Sequence, residues 1–75
     1  MKLTKYKEGQ QVELTTIALA KDAKQRLMFL GIYEGAIVRI EKQGGASMPS
    51  MLLVCGNLWM IRAKDLAMME GELIS

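Results

Sequence analysis

The stretch MLLVCGNLWMIR, residues 51–62, decides the fold that this sequence predicts. Its two ends are apolar and contain residues that favour strands, whereas Gly56 and Asn57 between them both tolerate a positive φ. Such a pair between two strand-like runs is typical of a two-residue hairpin turn. We therefore predict strands at 51–55 and 58–62, joined by a turn at Gly56-Asn57.

Three more strands are predicted on either side of this hairpin. Residues 11–17 and 36–42 alternate apolar with polar residues, which is the period of a half-buried strand. Residues 43–50 form a loop rich in glycine and serine. Beyond the hairpin, residues 63–66 predict a single helical turn and residues 67–73 a last short strand.

One short helix is predicted between the first two strands, at residues 23–30. Asp22 is predicted to cap its N-terminus, and Gly31 is a natural stop. A helix of about two turns does not persist alone in water, so this one must pack against the core. The residues on its narrow apolar stripe are Ala23, Leu27 and Leu30.

The predicted fold is mainly β: a small, partly open SH3-like barrel of about five strands, with one short helix inserted after the first strand. Residues 1–75 are interpreted as a single domain, because a chain of 75 residues supports only one small core. Gly31, Gly35 and Gly56 are interpreted as structural turn residues, since the sequence has no phosphate-binding glycine motif.

The composition argues against an enzyme. The chain has no His and one Cys, so neither a nucleophile–imidazole pair nor a Cys/His zinc cluster can be built. Cys55 has no disulfide partner within the chain and is predicted to be a buried, inert thiol. Most of the methionines are predicted to fill the core. We assign no catalytic residue and no metal ligand.

The N-terminal residues carry lysines without the apolar run of an export signal. A free thiol suits a reducing compartment. The expected location is therefore the cytoplasm, including attachment to the inner face of the membrane through a partner.

Residues 26–40, RLMFLGIYEGAIVRI, resemble the signature stretch of FeoA-type domains, the small accessory proteins of ferrous iron transport. The resemblance continues through VCGNLWMIR at 54–62 and the helical turn after it, and it covers roughly residues 3–73. Four features depart from the usual pattern. Leu66 takes a place often held by Ala, and the loop at 43–50 lacks the charged Gly-Asp-Pro character that is common there. Glu34 stands where the family usually has Pro, and Phe29 stands where it usually has a polar or acidic residue.

This resemblance implies an SH3-like barrel in the cytoplasm that associates with a membrane ferrous iron transporter carrying a G-protein domain. It implies no required cofactor, and only a weak association with Fe(II) or another transition metal. The same module also resembles the C-terminal domain of some metal-dependent repressors, but this chain has no helix pair for reading DNA.

The predicted partner-binding residues are Met28, Phe29, Tyr33, Glu34 and Met48. Met28 and Phe29 fall off the apolar stripe of the helix, and the other three lie in the turn after it or in the glycine-rich loop. The expected partner is the transporter, through its cytoplasmic G-protein domain or its membrane part. Self-association stays open as an alternative.

Two other functions stay open. A small nucleic-acid-binding barrel would use the first 30 residues, which hold six Lys or Arg against three Asp or Glu. Its aromatic platforms are scarce, however, and no nucleic acid is expected. A transition-metal sensor or carrier would need ligands that the sequence does not cluster. Trp59 is predicted to pack rather than to bind, and Arg62 is predicted to pair with Asp65 or with a backbone carbonyl.

Overall fold

The strands of the protein form one antiparallel five-stranded sheet in a computed structural model that describes all 75 residues. The order across the sheet is β4-β3-β2-β1-β5, and β4 is not paired with β5, so the sheet curls without closing. The prediction of a mainly β, partly open SH3-like barrel with one short helix after the first strand is confirmed. The elements are a 3-10 turn at Leu3–Lys5, β1 (Gln11–Ile17), α1 (Lys21–Phe29), β2 (Ile37–Lys42), β3 (Ser50–Val54), β4 (Asn57–Ile61), α2 (Ala63–Leu66) and β5 (Met69–Leu73).

A single cluster of 14 buried apolar side chains fills the concave side of the sheet. Its centre comes from alternate residues of three neighbouring strands, because successive side chains of a strand point to opposite faces. Those central residues are Val12 and Leu14 of β1, Val38 and Ile40 of β2, and Leu52 and Val54 of β3. Burial of this one face is what holds the sheet together.

Register shifts in two strands help the sheet to curl. One lies in β1 between Leu14 and Thr16, and the other lies in β2 between Ile40 and Lys42. Irregularities of this kind bend a strand and increase its twist. The five strands can therefore wrap around a core that is only one layer deep.

The helix begins two residues earlier than the sequence predicts. Ala20 occupies the cap position and makes no side-chain hydrogen bond, while Asp22 lies inside the first turn. The prediction that Asp22 caps α1 is therefore wrong, although its charge still suits the positive end of the helix dipole. At the other end, Gly31 has φ +90°, a left-handed conformation that favours glycine after a helix.

The hairpin turn lies one residue earlier than predicted. Its two central residues are Cys55 and Gly56, with φ of 51° and 81°, and Asn57 is already the first residue of β4. Positive φ at both positions is the signature of a tight type I′ turn. Cys55 is consequently exposed, and the prediction of a buried thiol is wrong.

The methionines do not fill the core. Only Met69 is fully buried, so the prediction that most of them pack inside is wrong. Leucine, isoleucine and valine already occupy the core, and most methionines fall on the outer sheet face, the helix surface or loops. Met28, Met48, Met60 and Met68 are exposed, and Met51 is half-buried.

None of the helices has the length and apolar composition that crossing a membrane requires.

Because β1 and β5 approach each other closely at Gly71, a single methyl group added there should destabilise the fold. A Cβ on Gly71 would lie 2.6 Å from the Glu13 carbonyl oxygen and would also collide with the Val12 side chain. We expect Gly71→Ala to lower the free energy of unfolding by about 2 kcal/mol, because backbone must move to make room. Urea unfolding measures this as a lower midpoint at unchanged slope.

The control is Glu70→Ala, the adjacent exposed position on β5, which we expect to change stability by no more than about 0.5 kcal/mol. Equal stability of Gly71→Ala and the wild type would contradict the close approach of the two strands.

Candidate docking surface

An open groove of about 440 Å³ runs between α1 and β4. Leu27, Leu30 and Ile61 line it and also pack against the core or belong to it. Phe29 and Met60 line it with their side chains mostly exposed, at 82% and 68%. The groove therefore has a packed apolar interior and an exposed apolar rim.

The helix presents Phe29 outward because its core contacts come from other positions. Leu27 and Leu30 pack against the core, and no residue of α1 is fully buried. At 100° per residue, Phe29 falls away from the stripe that those two residues define. It is the most exposed of the large apolar side chains in the chain.

The apolar character continues from the groove over the outer face of the sheet. Met60 lies opposite Met51, and Leu58 lies opposite Leu53, in the register of β3 and β4. Directly opposed residues of neighbouring strands have side chains within contact distance on one face. We define the docking surface as Phe29, Met51, Leu53, Leu58 and Met60.

Only one of the predicted partner-binding residues lines this groove, namely Phe29. Met28 lies on the other flank of α1, where it borders a separate depression with Lys21 and Lys24. Met48 is exposed in the loop between β2 and β3 and lines neither depression. The structure thus does not gather the predicted residues into one surface.

The residues missed by sequence reasoning are those of the β3–β4 hairpin. Both strands are apolar on both faces, although the sheet is antiparallel. Antiparallel sheets commonly expose one face to water, so a strand apolar on both faces indicates an uncovered apolar surface. The apolar residues on both faces of the hairpin could therefore have been recognised in residues 51–62 of the sequence.

Glu34 has a structural role in addition to its exposure. One carboxylate oxygen, Oε2, accepts a hydrogen bond from the backbone N–H of Ile17 at 3.0 Å and another from Lys24 Nζ at 3.4 Å. These contacts join the end of β1, α1 and the turn before β2. The Ile17 N–H and the Lys24 ammonium hold the pKa of Glu34 below its ordinary value of 4.5. Nearby, Tyr33 is also exposed.

The charges beside the groove are mainly positive. Arg62 lies at its edge and pairs with Asp65, with 3.1 Å between Nη2 and Oδ2, which confirms the predicted pair. Arg26 also lines the groove and takes part in no ion pair. The unpaired charge at the groove is therefore a cation.

The side chains present do not fit a resident metal ion. No group of three or more Cys, Asp or Glu side chains comes together at a single point. Cys55 is exposed at the tip of the hairpin. The donor set that a transition-metal centre requires is absent from this arrangement.

The aromatic side chains are dispersed. Tyr6 is buried, and its hydroxyl donates a hydrogen bond of 2.8 Å to the Gly71 carbonyl. Trp59 is half-buried against the core, as predicted. Only Phe29 and Tyr33 remain exposed, and they do not form the row of stacking platforms that a single-stranded nucleic acid uses.

The fold defines the class of the protein: a small SH3-like β domain built on one open five-stranded sheet. Residues 1–73 match the model of the FeoA domain, so the chain belongs to the FeoA family, which is linked to ferrous iron transport. This match confirms the resemblance found in residues 26–40. A search of curated proteins found no match.

Solved structures support the same assignment. The FeoA protein of Chlorobium tepidum is 25% identical, with a TM-score of 0.89, and the alignment covers 100% of this chain and 71% of that one. An iron uptake regulatory protein (FeoA) is 18% identical, with a TM-score of 0.86, covering 99% and 97% of the two chains. IdeR of T. acidophilum shares the fold at 16% identity and a TM-score of 0.83, covering 99% of this chain and 34% of that one.

The lowered pKa of Glu34 predicts a pH-dependent contribution to stability. A carboxyl whose pKa is lower in the folded state stabilises the fold fully above its ordinary pKa, and it loses this contribution as pH falls through the folded value. Glu34→Gln should therefore be less stable than the wild type at pH 7, and the difference should shrink below pH 4.5. Urea unfolding at pH 7 and at about pH 3 measures both differences.

Glu70→Gln is the control, because Glu70 is exposed and forms no side-chain ion pair. An equal gap between Glu34→Gln and the wild type at both pH values would show that the ionised carboxylate contributes nothing.

Proposed function

We propose that this protein is a non-enzymatic accessory protein of ferrous iron transport. It acts in the cytoplasm, docks on the cytoplasmic part of a membrane ferrous iron transporter that carries a G-protein domain, and modulates uptake. The observation that carries the proposal is the exposed apolar side chains of Phe29, Leu58 and Met60 on a member of the FeoA family. One structural relative is itself described as an iron uptake regulatory protein.

The exposed apolar surface supports a docking role because it is costly to leave in water. Apolar area removed from water contributes roughly 25 cal/mol per Å², and contiguous apolar patches on small proteins mark interaction sites. Phe29 and Met60 form the most exposed part of this surface. An aromatic anchor beside a methionine suits a partner surface with its own apolar pocket.

A small domain with one packed core suits modulation of a transporter rather than transport by this chain itself. A docked module that binds one conformation of the transporter more tightly than another shifts the population towards that conformation. The module itself needs no conformational change, since its five strands share one core. Fe(II) is the cargo of the transporter, and the proposed role requires no metal on this chain.

The groove offers no chemistry for turnover. Its ionisable groups are Arg26, Arg62 and Asp65, two of which neutralise each other. The chain has no His, and its single thiol, Cys55, makes no hydrogen bond to a basic side chain. These features support binding as the whole of the proposed activity.

Phe29→Glu tests the proposal. Because the side chain is 82% exposed, the substitution should leave the fold intact, as judged by circular dichroism and thermal unfolding. It should weaken binding to the purified full-length transporter by about tenfold or more, because an apolar anchor becomes a charge. Titration against the detergent-solubilised transporter gives the dissociation constant, and Fe(II) uptake in cells gives the functional result.

The matched control is Gln25→Glu, which adds the same charge to the same helix outside the groove. It should bind like the wild type. Unfolding of Phe29→Glu would show that Phe29 belongs to the core, and wild-type affinity of Phe29→Glu would remove the groove from the docking surface.

A further inference from the structure

The two edges of the sheet differ in how they are covered. The outer edge of β5 is covered by the N-terminal residues of the chain. Lys2 bridges to Glu70, the Gly71 N–H donates to the Met1 carbonyl at 2.9 Å, and the Met1 ammonium donates to the Gly71 carbonyl at 3.1 Å. The middle of this edge, at Glu70 and Gly71, is therefore already paired.

The outer edge of β4 is open. Outside the ladder with β3, no backbone or side-chain hydrogen bond involves residues 57–61. Because the turn has two residues, Val54 and Asn57 form a hydrogen-bonded pair, and such pairs alternate along an antiparallel ladder. The N–H and C=O groups of Leu58 and Met60 therefore point away from β3.

This edge lacks the usual protection of an exposed strand. Natural sheets blunt a free edge with lysine, proline, a bulge or a covering segment. β4 contains no charged residue and no proline, and its register with β3 is uninterrupted over all five residues. The outward groups belong to Leu58 and Met60, whose exposed side chains form part of the docking surface.

The wall beside this open edge is cationic. Arg62 and Asp65 at this groove pair with each other, and Lys24, on the other flank of α1, pairs with Glu34. Arg26 lines the groove without an ion-pair partner. Charge complementarity favours an acidic partner.

We propose that an extended acidic segment of the transporter's cytoplasmic part adds to β4 as a sixth strand of the sheet. Its backbone pairs with Leu58 and Met60, its apolar side chains contact Phe29 in the groove, and its carboxylates face Arg26. Strand addition of this kind obtains affinity from main-chain hydrogen bonds and specificity from alternate side chains. The inference rests on the proposed function and specifies how the docking surface is used.

The test compares Met60→Pro with Met60→Val in binding to the detergent-solubilised full-length transporter. Both variants lose the methionine side chain, but only proline also removes the outward N–H. Proline is tolerated on an edge strand where that N–H is not used within the sheet. We expect Met60→Pro to bind about tenfold more weakly than Met60→Val, and Arg26→Gln to reduce both the affinity and its dependence on salt.

Hydrogen exchange tests the same inference with the wild-type protein alone, so no variant has to fold. The Leu58 and Met60 amides should exchange rapidly in the free protein and at least about tenfold more slowly in the complex. Unchanged exchange at both amides in a complex that forms would overturn strand addition.

The remaining outcomes separate this inference from the proposed function. If the wild type binds and Met60→Pro binds as well as Met60→Val, strand addition is wrong while docking stands. If the wild type does not bind the transporter at all, the proposed function is wrong, and strand addition on it is wrong too. Sedimentation that shows a dimer dissolved by Met60→Pro but not by Met60→Val would assign the edge to a second copy and overturn the acidic partner.

Discussion

Burial of one face of one sheet is the constraint on which the rest of this structure depends. A chain of 75 residues makes a single core, and that core consumes the concave face of the five strands. The convex face of the β3–β4 hairpin is not covered by these residues, and Phe29 of α1 lies only at its border. An apolar outer surface therefore stays exposed, and a partner can use it without disturbing the core.

The sequence predicted the fold well where local pattern and tertiary packing agree. Alternation in β1 and β2 places Val12 and Val38 in the core, and the helical turn Ala63–Leu66 lies where it was predicted. The prediction failed where a shift of one residue changes the structure, as in the β3–β4 turn. The hairpin turn moved to Cys55 and Gly56 because a strand register, rather than residue preference alone, selects the turn. That shift of one position also brought Cys55 to the surface.

The candidate site was predictable only in part, because exposure depends on what the rest of the chain leaves uncovered. Helical periodicity correctly placed Phe29 outside the apolar stripe. It could not reveal that Met28 faces a different depression, since that depends on which flank of α1 meets β4. Methionine was assigned to the core by its apolar character, but Met51 and Met60 pair across the outer face instead. Glu34, in the turn before β2, joins β1 to α1 through its carboxylate.

The seven methionines supply the most direct test of where this protein meets its partner. Their methyl groups can be labelled with ¹³C and observed by NMR while unlabelled full-length transporter is added. The account predicts that the Met60 and Met51 signals shift or broaden, while those of Met28 and Met48, on other surfaces, stay in place. Changes confined to Met28 or Met48, with Met60 unaffected, would contradict it.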